Sequence, residues 1–534
     1  KKKGSLIFMS FSTYFPQLAR KVFSRDDHSS IESPEFQRPN SAEGIIRKKK
    51  VASSQNKDLL YFDLFYQISY MAAVSTAGIS RDRIFEYSAE LPGKAAGYFQ
   101  EIQRMSRNLG YDYAEACRLE GESVEDDMIR SLLLRMSGSM SSGESEAEFL
   151  GREADVLGVK YSDEYERKLE SLKQWTDAYS ALIISAVLVI IIGVVSTMIW
   201  KTNTVFILAL VGLTIGITIT GSWLIMLMSP KETVTLRKPS SREQKITRML
   251  LTILLPVAIV VALLLLGSGM GTGWTMLAFA LLVLPIGYAS VIDDTKISGR
   301  DQEIGTFLRS LGGVATAIGT TVSEALTKMD IRSIPSLSEE ANRLNIRLQI
   351  GILSSLCWKR FVLETGSVAV NRSVGMFRDA MALGADAEDA GNRASSYAVR
   401  LGLLRARRKL ITRPFAWLTF VMHAAVILLL VFVTEVMMTF GQLIMNIEKD
   451  IPGAATSSPV GGYFSFNFAG LELLNTLVFP VILVLTVVNA ITPKIADGGH
   501  KCKFLYNLSI TMGISGICLL VVPRLTHMIF GGVA

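Results

Sequence analysis

Residues 179–200 read YSALIISAVLVIIIGVVSTMIW and contain no charged side chain. At about 1.5 Å rise per residue, a helix of this length covers the roughly 30 Å hydrocarbon core of a bilayer. Six further apolar stretches of similar length follow it along the chain, at 205–228, 249–266, 274–291, 415–440, 471–490 and 504–522. The pattern predicts an all-α, polytopic membrane protein with about seven transmembrane helices.

Polar regions on either side of these spans divide the chain into domains. The first residues are rich in Ser, Pro and basic side chains and lack the apolar periodicity of a core, which predicts a flexible arm. Two later polar regions have helical periodicity and are predicted to be helical bundles. The predicted domains are the arm 1–57, a first bundle 58–178, transmembrane helices one to four in 179–291 with a basic link at 229–248, a second bundle 292–414, and transmembrane helices five to seven in 415–534.

Helical periodicity is strongest in the first bundle. The predicted helices are Leu59–Ala77, Ser80–Glu90, Lys94–Leu109, Tyr113–Glu120, Glu125–Ser137 and a long one from about Ser145. The last helix carries Tyr161, Tyr165, Leu169 and Trp175 at three- and four-residue steps, so its apolar stripe continues into the first span. We expect a continuous rod that couples the soluble bundle to the membrane.

Basic side chains accumulate in every second link between the spans. The links before spans three, five and seven are rich in Lys and Arg, whereas the GSGMGTG link at 267–273 has no charge. By the positive-inside rule, we expect both bundles and the N-terminus in the cytoplasm and the C-terminus outside. The net charge of +7 is thus concentrated beside the membrane, which does not favour a nucleic-acid-binding domain.

The second polar region repeats phrases of the first. YQISYMAAVSTAGISRDRIFEY from Tyr66 aligns with LRSLGGVATAIGTTVSEALTKM from Leu308. In both, a helix of small residues reaches a Gly, and a Ser or Thr then caps an amphipathic helix. MSRNLGYDYAEACRL from Met105 and DAMALGADAEDAGNRA from Asp379 share a second phrase of helix, Gly, acidic turn and helix. Two related helical bundles are predicted.

These phrases resemble the F-type domain of type II secretion systems, the module of membrane platform proteins in type IV pilus machines. Typical bacterial members have about three spans, so two such domains with seven spans are more similar to the archaeal platforms of archaella and type IV pili. The resemblance implies a non-enzymatic platform in the cytoplasmic membrane. It would dock a cytoplasmic hexameric secretion ATPase, act on pilin or archaellin subunits and form a homodimer. A Tad-like or type II secretion-like export platform is the alternative that the resemblance leaves open.

Motifs of catalysis and cofactor binding are absent from the sequence. It contains no GxxxxGK[ST], HExxH or GxSxG pattern, so ATP hydrolysis would need a partner. The cysteines Cys117, Cys357, Cys502 and Cys518 lack CxxC spacing, and we expect reduced structural thiols. We therefore predict no catalytic residue, no metal site and no cofactor.

Basic residues beside the spans are the candidate docking site for an ATPase. Such residues also fix topology and bind anionic lipid headgroups, so the two interpretations stay open. The candidates are Lys231, Arg237, Lys238, Arg242, Lys245, Arg405, Arg407, Arg408 and Lys409.

Three ionisable residues lie within the predicted fifth and sixth spans. His423, Glu435 and Glu472 are costly in lipid and should face protein or water. They are candidate polar contacts for pilin helices or a second copy, although the two glutamates would also be solvated near the outer interface. A transporter would place such residues at the midplane of repeated spans, but spans one to four have none.

Overall fold

The computed structural model describes residues 54–199, 204–236, 241–450 and 468–530. Within these ranges the chain is helical and forms no strand, apart from an isolated antiparallel bridge between Thr235 and Ser367. The predicted all-α fold is therefore confirmed. Of the N-terminal arm predicted at 1–57, positions 1–53 lie outside the described residues.

The first soluble region consists of short helices followed by a long one. These are α1 (Ser54–Ser75), α2 (Arg81–Ala89), α3 (Ala96–Leu109), α4 (Tyr113–Ser123), α5 (Asp127–Ser142) and α6 (Glu146–Ile199). The predicted bounds agree with the structure to within about five residues. Asp112 and Asp126 begin α4 and α5 by accepting hydrogen bonds from backbone N–H groups of the first turn.

The remaining described chain alternates apolar helices with a second set of short ones. The elements are α7 (Thr204–Met228), α8 (Arg242–Gly267), α9 (Thr272–Ile318), α10 (Val322–Lys328), a 3-10 turn (Ile331–Ser333), α11 (Ser338–Gln349), α12 (Ser354–Thr365), α13 (Val368–Ala382), α14 (Ala387–Asp450), α15 (Phe468–Asp497) and α16 (Lys503–Phe530). Seven of the described helices, α6 to α9 and α14 to α16, are long and apolar enough to cross a membrane. The predicted number of candidate spans is therefore confirmed by helix length and composition among the described residues.

Three helices belong to both the soluble region and the candidate spans. Helix α6 has 54 residues, α9 has 47 and α14 has 64. At 1.5 Å per residue they extend for about 70 to 95 Å, more than twice the thickness of a hydrocarbon core. Helix α6 is continuous from the soluble region into the first span, as predicted, and α9 and α14 are two further continuous helices that were not predicted from the sequence.

The two aligned phrases have the same backbone at their turns. Gly319 directly follows α9 and Gly78 lies three residues after the end of α1; both have positive φ, at 66° and 64°. A side chain disfavours this left-handed conformation, which explains the glycine at both positions. Thr321 then caps α10 by accepting a hydrogen bond from the Glu324 N–H, as predicted, whereas Ser80 before α2 makes no side-chain cap hydrogen bond. That the two bundles are related stays a prediction, although both turns place a glycine at positive φ.

Helix α1 packs between α6 and α14, so the soluble helices share one hydrophobic core. The ring of Phe65 lies 5.6 Å from that of Tyr161 on α6 and 5.0 Å from that of Tyr397 on α14. The same core continues along α6 and α14 into the candidate spans. Helices from both predicted bundles therefore pack directly on each other.

Arg372 on α13 fastens α1 to the second set of soluble helices. Its guanidinium lies over the rings of Phe62 and Tyr66, 4.2 Å and 4.5 Å from their centroids, and donates to Asp63 at 2.5 Å. Burial lowers the pKa of Arg372, but the neighbouring Tyr397 and Asp63 more than offset burial, so the pKa of Arg372 is raised above its ordinary value. Arg372 therefore stays protonated, and its charge is held by Asp63 and by the faces of two aromatic rings.

We expect Arg372→Met to destabilise the soluble core by about 3–5 kcal/mol, because Asp63 would lose the cation that pairs with it in a buried position. The matched control is Arg378→Met, which removes an exposed pair with Asp379 on the same helix and should cost about 1 kcal/mol or less. Thermal unfolding of both variants in nanodiscs would measure the difference. Equal melting temperatures would contradict the role of Arg372.

Candidate functional site: an ionic junction between soluble helices and spans

Exposed aromatic side chains mark one end of the apolar segments. Trp223, Tyr288 and Trp417 are all exposed. They lie near the end of α7 and near the points within α9 and α14 where the apolar segments meet the soluble part of each helix. Trp and Tyr prefer the headgroup level of a bilayer. We therefore expect the charged cluster described next to lie just beyond the membrane surface.

Eight charged side chains meet at this level from five segments of the chain. We call this cluster the ionic junction; it consists of Glu232, Asp294, Asp301, Arg405, Arg408, Lys409, Asp497 and Lys503. The charges come from the chain after α7, from α9, from α14, and from the facing ends of α15 and α16. Each of these segments is therefore held to a neighbouring one by at least one ion pair.

Arg405 is the centre of the ionic junction. Its Nε donates to Glu232 Oε2 at 2.9 Å, and its Nη1 donates to Asp301 Oδ2 at 2.5 Å. All three side chains are about 90% or more buried. A guanidinium matches two carboxylates in different directions because its donors form a rigid planar fork. Arg405 thus joins α14, α9 and the chain after α7.

Arg408 binds the ends of two candidate spans through their carbonyl groups. Its donors reach Pro230 O at 2.9 Å, Ala496 O at 2.8 Å and Ile495 O at 3.2 Å. The last carbonyls of a helix have no partner in the helix and carry partial negative charge, which favours a cation there. Arg408 therefore caps α15 and holds the chain that leaves α7.

Asp294 on α9 gathers the lysines of the ionic junction. Lys409 Nζ donates to Asp294 Oδ2 at 3.1 Å and Lys503 Nζ donates to the same oxygen at 3.3 Å. The backbone N–H of His500 donates to the other carboxylate oxygen at 3.2 Å. Lys503 also pairs with Asp497 at 2.5 Å. One carboxylate thus connects α9, α14 and the link between α15 and α16.

Protonation is fixed by the surroundings at two positions between the helices. Burial alone would raise the pKa of Glu232, but the nearby charges of Arg405 and Arg408 outweigh burial and hold that pKa below its ordinary value. Burial lowers the pKa of His500, against the opposing charge of Asp294. At neutral pH Glu232 is therefore ionised and His500 is neutral, whereas burial raises the pKa of Asp301 above its ordinary value against the opposing charge of Arg405.

A cavity of about 30 Å³ lies beside these ion pairs, lined by Glu232, Asp301, Arg405 and Lys409 among others. This volume admits one or two water molecules. Small-molecule pockets are typically about 300–1,000 Å³, so this cavity does not fit a nucleotide. Among the described residues, no cluster of three or more His, Cys, Asp or Glu side chains could hold a metal ion.

A second polar network lies within the candidate spans. His423 Nε2 is 2.9 Å from Ser515 Oγ, and its Nδ1 is 3.1 Å from Asn489 Nδ2. Tyr179 OH donates to Asn489 Oδ1 at 2.9 Å. His423 is fully buried among α6, α14, α15 and α16. His423 therefore connects spans of the same chain. Because its side chain is fully buried, it is not exposed for the predicted contact with a pilin helix or a second copy.

The predicted docking residues separate into an internal and an external group. Arg405 and Arg408 are buried and bonded within the chain, and Lys409 is largely so, which removes them from any continuous positive surface. Arg407 is 59% exposed and pairs with Glu166. Arg242 and Lys245 are exposed, and Lys231 is half-buried. Docking of a partner at the exposed members stays a prediction.

Three of the predicted residues have limited or no description. Arg237 and Lys238 lie outside the described residues, as does the side chain of Glu472 within α15. Glu435 is half-buried on α14. Its role as an intramembrane contact stays a prediction.

The acidic half of the ionic junction was not predicted from the sequence. Glu232 stands in an otherwise basic link, and Asp294 and Asp301 follow a span end at a spacing of seven residues, which puts both on one face of α9. Isolated acids beside basic runs at span ends were the available signal. Asp301 and its partner Arg405, however, lie 104 residues apart in the chain, so their pairing does not follow from the local sequence.

Comparisons with known proteins give two kinds of match. The family described as type II secretion system (T2SS), protein F matches residues 68–194. The flagella accessory protein J of Methanocaldococcus jannaschii is 21% identical over 90% of this chain and 87% of its own length. That of Methanococcus voltae is 22% identical over 82% of this chain and 79% of its own length. No solved structure matches significantly. The resemblance to the F family and to archaellum platforms is thereby confirmed.

We expect Arg405→Met to destabilise the protein by about 3–5 kcal/mol, since it leaves two buried carboxylates without their shared cation. Arg407→Met, two positions away on the same helix, breaks an exposed pair and should change stability by about 1 kcal/mol or less. The melting temperature of each purified variant in nanodiscs measures the effect. A similar loss in both variants would contradict the central position of Arg405.

Proposed function

We propose, from the premise that the chain carries a type II secretion system protein F domain and resembles flagella accessory protein J along most of its length, that it is the membrane platform of an archaeal type IV pilus-like filament machine. In this role it docks a cytoplasmic hexameric secretion ATPase and relays the motion of that ATPase to pilin or archaellin subunits. The protein itself is a non-enzymatic component.

The observation that carries this proposal is the continuity of α6, α9 and α14 from the soluble core into the candidate spans. A helix transmits displacement along its axis, whereas a flexible linker dissipates it. The ionic junction joins α9 and α14 to the span ends, and Tyr165 on α6 donates to Glu232 of the junction at 2.9 Å. A force applied to the soluble helices would therefore reach the spans.

The archaellum-like reading is favoured over an export platform by the extent of the matches. The similarity to the two flagella accessory proteins extends over both soluble regions and the candidate spans. An export platform of the shorter, three-span type would account for only part of this chain. The excess of Lys and Arg in alternate links favours soluble helices in the cytoplasm, with the N-terminus inside and the C-terminus outside.

A homodimer fits one exposed face of α14. Leu403, Leu410 and Trp417 are exposed and separated by seven residues, the spacing of a coiled-coil seam. Two copies inserted in the same direction can be related by a two-fold axis along the membrane normal, which makes their α14 helices parallel. Each of these residues would then meet its own counterpart in the second copy.

Interrupting helix α6 should abolish filament assembly without abolishing binding of the ATPase. We expect a Gly-Ser-Gly-Gly insertion after Asp177 in α6 to abolish surface filaments in the source organism while the protein still binds the ATPase, because the insertion interrupts the rod beside the membrane. The same insertion after Gly143, in the turn before α6, should leave filaments intact. Normal filament numbers by electron microscopy with the Asp177 insertion would contradict the proposal.

Cysteine cross-linking in membranes tests the dimer. We expect Leu410→Cys, in a background without the native cysteines, to form a disulfide between two copies under mild oxidation, since the two-fold axis places the pair face to face. Val159→Cys is exposed on α6 and should remain monomeric on a non-reducing gel. A cross-link at Val159 and none at Leu410 would exclude the proposed α14 contact.

A further inference from the structure

Asp293 is a buried carboxylate with an incomplete set of partners. It lies on α9, one residue before Asp294 of the ionic junction, and its side chain is fully buried. One of its oxygens accepts a hydrogen bond of 3.4 Å from the Ser241 hydroxyl at the start of α8. The other oxygen, Oδ2, has no hydrogen-bond partner among the described residues. A buried charge that lacks partners is costly, so this oxygen needs a physical explanation.

The imidazole of His500 faces this unpartnered oxygen. The distance from His500 Nε2 to Asp293 Oδ2 is 4.0 Å. On the other side of the ring, Nδ1 accepts a hydrogen bond of 3.3 Å from the Cys502 backbone N–H and lies 2.9 Å from Ser290 Oγ. Because a backbone N–H can only donate, Nδ1 is an acceptor, and the neutral ring carries its proton on Nε2. An N–H group therefore faces the carboxylate oxygen across a gap that is too long for a hydrogen bond.

The backbone holds His500 close to α9. The link between α15 and α16, residues 498–502, approaches α9 so closely that a Cβ at Gly499 would lie 2.6 Å from Asp294 Oδ1. The His500 backbone N–H donates to the same oxygen at 3.2 Å. The link is thus already fastened beside Asp293, and a movement of about 1 Å would close the gap to a hydrogen bond.

Charged and titratable groups face the pair from α8, α9, α15 and the link. Most of the carboxylates and cations on α8 and α9 have counterions, since Glu243 pairs with Lys296, Arg300 pairs with Glu340, and Asp294 pairs with two lysines. Among the described residues, His500 is the one basic side chain in ion-pair range of Asp293. The groups that face the pair are Glu243 from α8, Asp294, Lys296 and Arg300 from α9, Lys494 from α15, and Lys501 and Cys502 from the link.

These surroundings favour one added proton on the pair. Burial and then the charge of Glu243 raise the pKa of Asp293 to about 6, against the attraction of Arg300. Burial lowers the pKa of His500. Without an added proton the two side chains together carry one buried negative charge, and with one proton they carry no net charge. The proton belongs to the pair, whether it lies on the carboxylate or on the imidazole.

We infer that Asp293 and His500 form a buried binding site for one proton, and that proton binding closes the link between α15 and α16 onto α9. The geometry carries this inference, which does not depend on the proposed function. The His500 side chain is 16% exposed and that of Asp293 is fully buried, so a proton from the water reaches Asp293 through the imidazole. Acidification on the side of the soluble helices thus adds a contact beside the ionic junction.

Solid-state NMR of the full-length protein with isotope-labelled histidine rings tests the site directly. The chain has four histidines, so the His500 signal is the one that disappears in His500→Gln. We expect the proton on Nε2 at about pH 7.5, and a shift of the His500 Nε2 signal between about pH 7.5 and about pH 5 as the pair takes up its proton. Asp293→Asn should abolish that shift. An unchanged His500 signal in the wild type, or the same shift in Asp293→Asn, would overturn the inference.

Thermal unfolding in nanodiscs gives a second test. Asp293→Asn keeps the shape of the side chain and cannot ionise, so at about pH 7.5 it should melt about 2 °C or more above the wild type. Because the pKa of Asp293 is raised in the folded protein, the stability that its proton contributes is present at low pH and is lost as the pH rises through about 6. The advantage of Asp293→Asn should therefore disappear at about pH 5, where the wild-type pair is also neutral.

The matched control is Asp163→Asn, the same substitution at an exposed position of α6. It should melt like the wild type at both pH values, because an exposed carboxylate pays little for its charge. If Asp293→Asn melted below the wild type at neutral pH, or differed from it equally at both pH values, Asp293 would not be a proton-binding group and the inference would fail.

Discussion

The buried pairing of Arg405 with Glu232 and Asp301 is the constraint on which the arrangement of the molecule depends. It joins the helix that leads into the fifth span, the helix that leaves the fourth, and the chain after the second. Removing such charges from water is costly, and their attraction repays that cost only when the geometry holds all partners together. The three segments therefore occupy one fixed arrangement where they leave the membrane.

That arrangement gives a physical meaning to the long helices. A helix that crosses from the soluble core into the bilayer passes displacement only if its neighbours do not slide past it at the boundary. The Arg405, Arg408 and Asp294 contacts oppose such sliding between α9, α14 and the span ends. Farther from the membrane, Arg372 and the stacked aromatic side chains bind α1 into the same body. The soluble helices and the candidate spans thus form one framework, which suits a platform that relays motion.

The sequence predicted the helices well because apolar periodicity and span length are local properties. Runs such as 179–200 and the glycine turns at Gly78 and Gly319 need no knowledge of distant residues. The site was harder to predict. Arg405 and Arg408 were correctly singled out as basic residues beside a span, yet the same pattern suits an exposed docking collar, and only the three-dimensional fold brings Glu232 and Asp301 to them. His423 was likewise recognised as an unusual intramembrane residue, but its partners come from two other helices.

The exposure of apolar side chains between Ile346 and Leu356 also could not be predicted from the sequence. In sequence this segment resembles an ordinary amphipathic helical stretch. Its exposure depends on which face of α12 is used by Trp358 and Phe361 to reach the core. Solvent exposure of apolar residues is a tertiary property, and one-dimensional periodicity does not determine it.

Hydrogen–deuterium exchange of the nanodisc-embedded protein tests the central claim most directly. If the soluble helices and spans form one framework, amide exchange at 294–305 and 402–412 should be as slow as in the soluble core around α1, because opening there requires breaking the ionic junction. Rapid exchange confined to these segments, with the core and spans protected on either side, would show a hinge at the membrane surface and contradict the account.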